Sequence, residues 1–110
     1  MTHEQLIAQC FQWHWNTFIE ERQMLYGVNN NSYDEREGNR NKAKGVVAGV
    51  LDFCYITPRG PSIYLDAKVG SDTLSKAQLS FIAKCEARGV ECFEFSTLKE
   101  FQTIILMYHE

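Results

Sequence analysis

The stretch VLDFCYITPRGPSIYLDAK, residues 50–68, holds two runs of β-branched and aromatic residues around a strong turn signal, TPRGP at 57–61. The runs predict strands over Val50–Ile56 and Ser62–Lys68. Paired as an antiparallel hairpin across the five-residue turn, they set Ile56 opposite Ser62, Cys54 opposite Tyr64, and Asp52 opposite Asp66. Side chains so placed share one face, with Cβ atoms about 4.5–5.5 Å apart. Two acids facing each other among apolar neighbours should repel, and a divalent cation between them reverses that penalty. Lys68 follows Asp66 by two and projects from the same face, roughly 7 Å along the strand. Its ammonium could orient a water or meet charge on a phosphoryl oxygen. The competing expectation is a simple edge hairpin whose charges are solvated. A slip of one residue would send the two acids to opposite faces.

Outward from the hairpin, residues 2 to about 26 are expected to form a long first helix. Thr2 and Gln5 have capping-box spacing, and Ile7, Phe11, His14 and Phe18 recur as a buried stripe. One step back along it lies Glu4, which either faces the core side or complements the helix dipole. His14 fits a hydrogen-bonded core histidine better than a ligand. Residues 27–45 break the apolar pattern, as a loop followed by a short polar helix from near Asp34.

Beyond the hairpin, Ser75 and Gln78 form a second capping box, and Gly89 suits a left-handed helix end. That helix should bury Phe81, Ile82 and Cys85, with Gln78 at the head of the stripe. Residues 91–95 predict a third strand. Thr97 and Glu100 would cap a last helix with Leu98, Phe101, Ile104, Ile105 and Tyr108 inside. The expected order is helix, strand, strand, helix, strand, helix, with no internal repeat, so one domain spans 1–110.

Composition bounds the function. The 110 residues are 45% hydrophobic and 13% aromatic, which suits a folded globular chain. No apolar run approaches the ~18 residues of a membrane span, and the N-terminus does not resemble a secretory signal. A cytosolic, cytoplasmic protein without membrane partners is expected. Cys10, Cys54, Cys85 and Cys92 show no CxxC spacing, so buried free thiols are expected instead of zinc ligands. The net charge of −3 does not advertise a nucleic-acid binder, yet Arg36, Arg40, Lys42 and Lys44 cluster in EREGNRNKAKG. That cluster is either a solvated face or a phosphate-binding surface, with Lys76 a further candidate.

Asp52 followed by LDAK, with Asp66 and Lys68, resembles the PD-(D/E)xK nuclease motif. More narrowly, NKAKGVVAGVLDF (41–53), IYLDAKVG (63–70) and LSKAQLSFIAKCEARGV (74–90) together resemble the virus-type replication-repair nuclease domain, VRR-NUC. Leu51 stands where the motif has proline, and Asp66 is the shorter of the two permitted acids. The resemblance implies a restriction-endonuclease-like α/β fold, a small mixed sheet flanked by helices. It implies Mg²⁺ or Mn²⁺ held by Asp52, Asp66 and the carbonyl of Ala67, with Lys68 as general base or water-positioning group. Gln78 would reach into the site, and a first-helix glutamate would join it, Glu4 before Glu20. DNA, branched as in four-way junctions or flaps, would be the substrate, bound through Arg36, Arg40, Lys42, Lys44 and Lys76. Stand-alone members of the family resemble homodimers. The opposing expectation is a non-catalytic nucleic-acid-binding module with a structural cation site.

Overall fold

A computed structural model describes residues 1–28 and 35–110. In chain order the elements are α1 (His3–Thr17), a 3₁₀ turn (Ile19–Glu21), β1 (Leu25–Gly27), α2 (Glu35–Ala43), β2 (Phe53–Ile56), β3 (Ser62–Ala67), α3 (Lys76–Glu86), β4 (Cys92–Phe95) and α4 (Leu98–Met107). The strands form one mixed sheet in the order β1-β2-β3-β4. β1 and β3 both run antiparallel to β2, while β4 pairs parallel to β3 after the α3 crossover. The hairpin takes the expected register, with Cys54 opposite Tyr64 and Ile56 opposite Ser62.

Alternation along the strands then sorts the two faces. Phe53, Tyr55, Ile63, Leu65, Ala67 and Phe95 point into a core closed by α1 and α4. Phe101 of α4 is its hub, with ring centroids 5.1 Å from Phe95, 5.8 Å from Phe53 and 6.2 Å from Trp13. Each such buried ring stabilises the fold by roughly 1.5–3 kcal/mol. Cys54, Tyr64 and Asp66 point the other way, toward α3, where Phe81 meets Tyr64 edge-on at 5.0 Å. This second layer is thin: no residue of α3 is fully buried, so Phe81, Ile82 and Cys85 are half-covered, not the buried stripe expected.

Three further expectations are corrected. The first helix stops at Thr17 instead of running to residue 26. Phe18 leaves the helical region at φ −116° and ψ 77°, and Gln23 turns the chain with φ 80°. The residues beyond it gain more as a strand, because Leu25 is buried and Met24 O accepts from Ile56 N at 2.8 Å. The stripe of α1 that enters the core is Leu6, Cys10 and His14: His14 is buried as expected, but Leu6 and Cys10 take the places expected of Ile7 and Phe11, which with Phe18 are only half-buried. The hairpin's first strand begins at Phe53, not Val50. The approach to it is a turn at Gly49 (φ 89°), a left-handed value that glycine adopts without strain.

Both capping boxes form, Thr2 with Gln5 and Ser75 with Gln78, and the Thr97 side chain accepts from Glu100 N at 3.1 Å. Gly89 is left-handed at φ 78° just past α3. The polar helix spans Glu35–Ala43, while its expected start at Asp34 lies outside the described residues. All four cysteines are free, but only Cys10 and Cys54 are buried; Cys85 and Cys92 are half-exposed. Burial pushes the Cys10 thiol up to about 12, which leaves it unreactive. Among the described residues no helix is long and apolar enough to cross a membrane.

A polar knot ties the far end of α1 to the sheet. Glu21 Oε1 accepts from Tyr55 Oη at 2.5 Å and His14 Nε2 at 3.0 Å, and Oε2 accepts from His109 Nε2 at 2.5 Å. His14 is therefore the hydrogen-bonded core histidine expected. Burial alone would raise the Glu21 carboxyl, but the hydrogen bonds from Tyr55, His14 and His109, with the charge on His109, carry it below the ordinary carboxylate range. A depressed folded-state pKa adds stability above about pH 4, and that stability is lost as pH falls through the lower folded value. Glu21→Gln should therefore lower stability at pH 7 by about 1–3 kcal/mol and change it far less at pH 3. Urea denaturation at the two pH values checks this; equal losses at both would refute it.

Candidate metal centre

Asp52 is the residue immediately before β2, and continuing the hairpin register sets it beside Asp66 of β3. The structure brings the two acids together. Asp52 N donates to Asp66 Oδ1 at 3.2 Å, and Ala67 N donates to Asp52 Oδ2 at 2.9 Å. Backbone therefore reaches across in both directions, each amide satisfying the other strand's carboxylate. Asp52 O in turn accepts from Val28 N at 2.9 Å, so the end of β1 pins the same residue from its other side.

Asp66 is 1% exposed, an uncommon position for a carboxylate. Burial lifts its carboxyl above the ordinary range. The hydrogen bond and charge of Lys68 oppose that rise, and the neighbouring Asp52 adds to it. Lys68 follows the last residue of β3, and its Nζ turns back to Asp66 Oδ2 at 2.6 Å. The ammonium thus supplies the positive charge the buried carboxylate requires.

Gln78 closes the group from α3. Its Nε2 lies 3.4 Å from each Asp66 oxygen, and its Oε1 accepts from Lys68 Nζ at 3.2 Å. The same Oε1 accepts from Ser75 N at 3.0 Å, so this one side chain caps its own helix and also reaches the acid and the lysine. The expected helix cap is formed, and the side chain also touches both charged residues. α3 can sit this close because Gly49 lacks a side chain: a Cβ there would lie 2.5 Å from the Ala77 carbonyl.

One contact has no counterpart in the sequence reasoning. His3 Nε2 donates to Asp52 Oδ2 at 2.9 Å, on the same oxygen that Ala67 N holds. The only available signal was its adjacency to Glu4 at the start of α1, and an isolated histidine carries no spacing pattern. Glu4 is solvent-exposed and lines, with His3 and Asp52, one end of a cavity of about 450 Å³. Glu20 lies on the 3₁₀ turn beyond the opposite end of α1, roughly 22 Å away along a fifteen-residue helix. It is not a partner of Asp52. Arg36, Arg40 and Lys42 on α2, Lys44 just after it, and Lys76 at the head of α3 are all exposed.

Among the described residues no three His, Cys, Asp or Glu side chains lie close enough to complete a metal site. The pair itself suits a hard cation. It is oxygen-rich, and one of its two acids is buried.

No protein-family model matches the chain, and no curated protein does. A solved structure of a VRR_NUC domain protein superposes on it with a TM-score of 0.81 at 17% identity, covering 98% of this chain and 88% of that one. The chain therefore has the VRR-NUC-like, restriction-endonuclease-like α/β fold, a mixed sheet flanked by helices.

Gly49→Ala combines a left-handed backbone with a backbone collision. It should cost at least about 2 kcal/mol, read as a lower midpoint in thermal or urea unfolding. An unchanged midpoint would show that the loop does not need its close approach to α3.

Proposed function

We propose that this protein is a divalent-metal-dependent DNA endonuclease, acting as a homodimer on branched DNA such as four-way junctions or flaps. The observation that carries the nuclease assignment is the convergence of Asp52, Asp66, Lys68 and Gln78 through one strand register and one helix cap. The VRR-NUC-like fold supports it. The branched substrate and the homodimer rest on the family resemblance.

In this assignment Asp52, Asp66 and the Ala67 carbonyl hold Mg²⁺ or Mn²⁺, with Glu4 joining from α1. When bound, the ion polarises the scissile phosphate and lowers the pKa of a water. The remaining work falls to the chain. His3 and Ala67 fix the Asp52 carboxylate through a single oxygen, which restrains its rotation. Lys68, linked to Gln78, positions the attacking water and assists its deprotonation. Gln78 keeps Lys68 and Asp66 in register with each other.

DNA phosphates would be met by Arg36, Arg40, Lys42 and Lys44, with Lys76 beside them. Lys44 stands five residues before Gly49, which touches the first turn of α3, so at most roughly 17 Å of chain separates it from the turn that carries Lys76. The basic residues can thus flank a single strand entering the acid pair.

Purified protein with Mg²⁺ or Mn²⁺ should cut four-way or flap DNA, and Asp66→Ala and Lys68→Ala should each cut at least about 100-fold more slowly. No cleavage of branched or linear DNA, or full activity in either variant, would overturn the assignment. Binding measured by anisotropy in Ca²⁺ should weaken steeply with salt, and Arg40→Ala with Lys42→Ala should flatten the slope by about two phosphate contacts. A slope unchanged by that pair would move the DNA surface elsewhere.

A further inference from the structure

The cavity beside Asp52 is larger and less polar than an ion site requires. It holds about 450 Å³, whereas a cation with six waters occupies roughly 200 Å³ at ~30 Å³ per water. Its polar end is formed by His3, Glu4 and Asp52. From there it runs along α1 past Ala8 to Phe11 and Gln12, about 10 Å by helical rise from Glu4. Ile7 and Phe11 give this far part apolar walls, and Val28 and Phe53 add apolar surface nearer Asp52. Ile7 and Phe11 are the residues whose spacing had marked them for the core. They are only half-buried because Leu6 and Cys10 take the core face and leave these two against the cavity.

Apolar walls offer nothing to a hydrated cation, which belongs at the acidic end, or to an anionic phosphodiester, which could approach that end only through such a cation. A nucleobase has the complementary character: two apolar faces and a polar edge. The Phe11 ring can stack on such a face, and the Gln12 amide at the rim can pair with such an edge. We propose that this cavity is a subsite for one unpaired nucleobase adjoining the phosphate that is cut. The proposal rests on the endonuclease assignment and gives it a physical basis for substrate choice. A base in a duplex must first be unstacked and unpaired at a cost of a few kcal/mol, whereas a base at a flap or branch point is already free. Selectivity for branched DNA then follows from the shape of the site.

Flap DNA carrying a single abasic site, scanned through the unpaired arm and across the branch point, tests this by anisotropy in Ca²⁺. One position should show about 10-fold weaker binding when its base is missing. Ala8→Trp, an exposed helix position that fills the cavity, should weaken intact DNA by the same factor, leave DNA abasic at that position unaffected, and preserve Mn²⁺ binding by calorimetry. Wild-type affinity indifferent to every abasic position, or a preference that survives Ala8→Trp, would overturn the subsite. Cleavage without any abasic-sensitive position would remove the subsite and keep the nuclease. An abasic-sensitive position without cleavage would do the reverse.

Discussion

Strand register between β2 and β3 is the constraint on which the structure depends. The five-residue turn fixes which residues oppose each other, and buried Phe53, Tyr55, Ile63 and Leu65 lock the choice, since a shift of one would turn one strand's pair, Phe53 with Tyr55 or Ile63 with Leu65, toward α3. The same lock places Asp66 on the α3 side, under cover, next to Asp52. Core packing and the acid pair are two results of one alignment. The hydrophobic face holds charges in an arrangement that they would not adopt on their own.

That arrangement is costly, and several elements share the compensation. Lys68 neutralises Asp66 directly, two backbone amides reach the carboxylates, and Gln78 and His3 enter from α3 and α1. No single contact is strong enough to offset burying a carboxylate, but together they leave no buried side-chain polar atom unpartnered among the described residues. At the other end of α1, Glu21 follows the same logic with Tyr55, His14 and His109. The helix is thus fastened at both ends by carboxylate–histidine contacts, one at the acid pair and one remote from it.

The hairpin, its register and both capping boxes were legible in the chain because each depends on short-range signals: TPRGP at the turn, alternation in the strands, and Ser or Thr three residues before Gln. The acid pair and the inward Gln78 followed from them. Less legible were features decided across the fold. Residues 25–27 (LYG) are too short to show a period, and they become β1 only because the outer edge of β2 is there to be paired. The rotation of α1 was equally hidden, since Leu6, Ile7, Cys10 and Phe11 form one broad apolar arc and the sequence does not say which half meets the sheet. The half left out of the core is the half that walls the cavity. His3 acquires its role only when the start of α1 is brought beside Asp52, 49 residues away in the chain.

The double duty of Gln78 narrows what evolution can try at that position. Glutamate would still close the helix cap but would add a third negative group beside Asp66. Asparagine is one methylene too short to serve Ser75 and Lys68 at once, and leucine would abandon both. Helix capping and the bracing of Asp66 and Lys68 therefore exert pressure on the same side chain, and a mutation that relieves one inherits the penalty of the other.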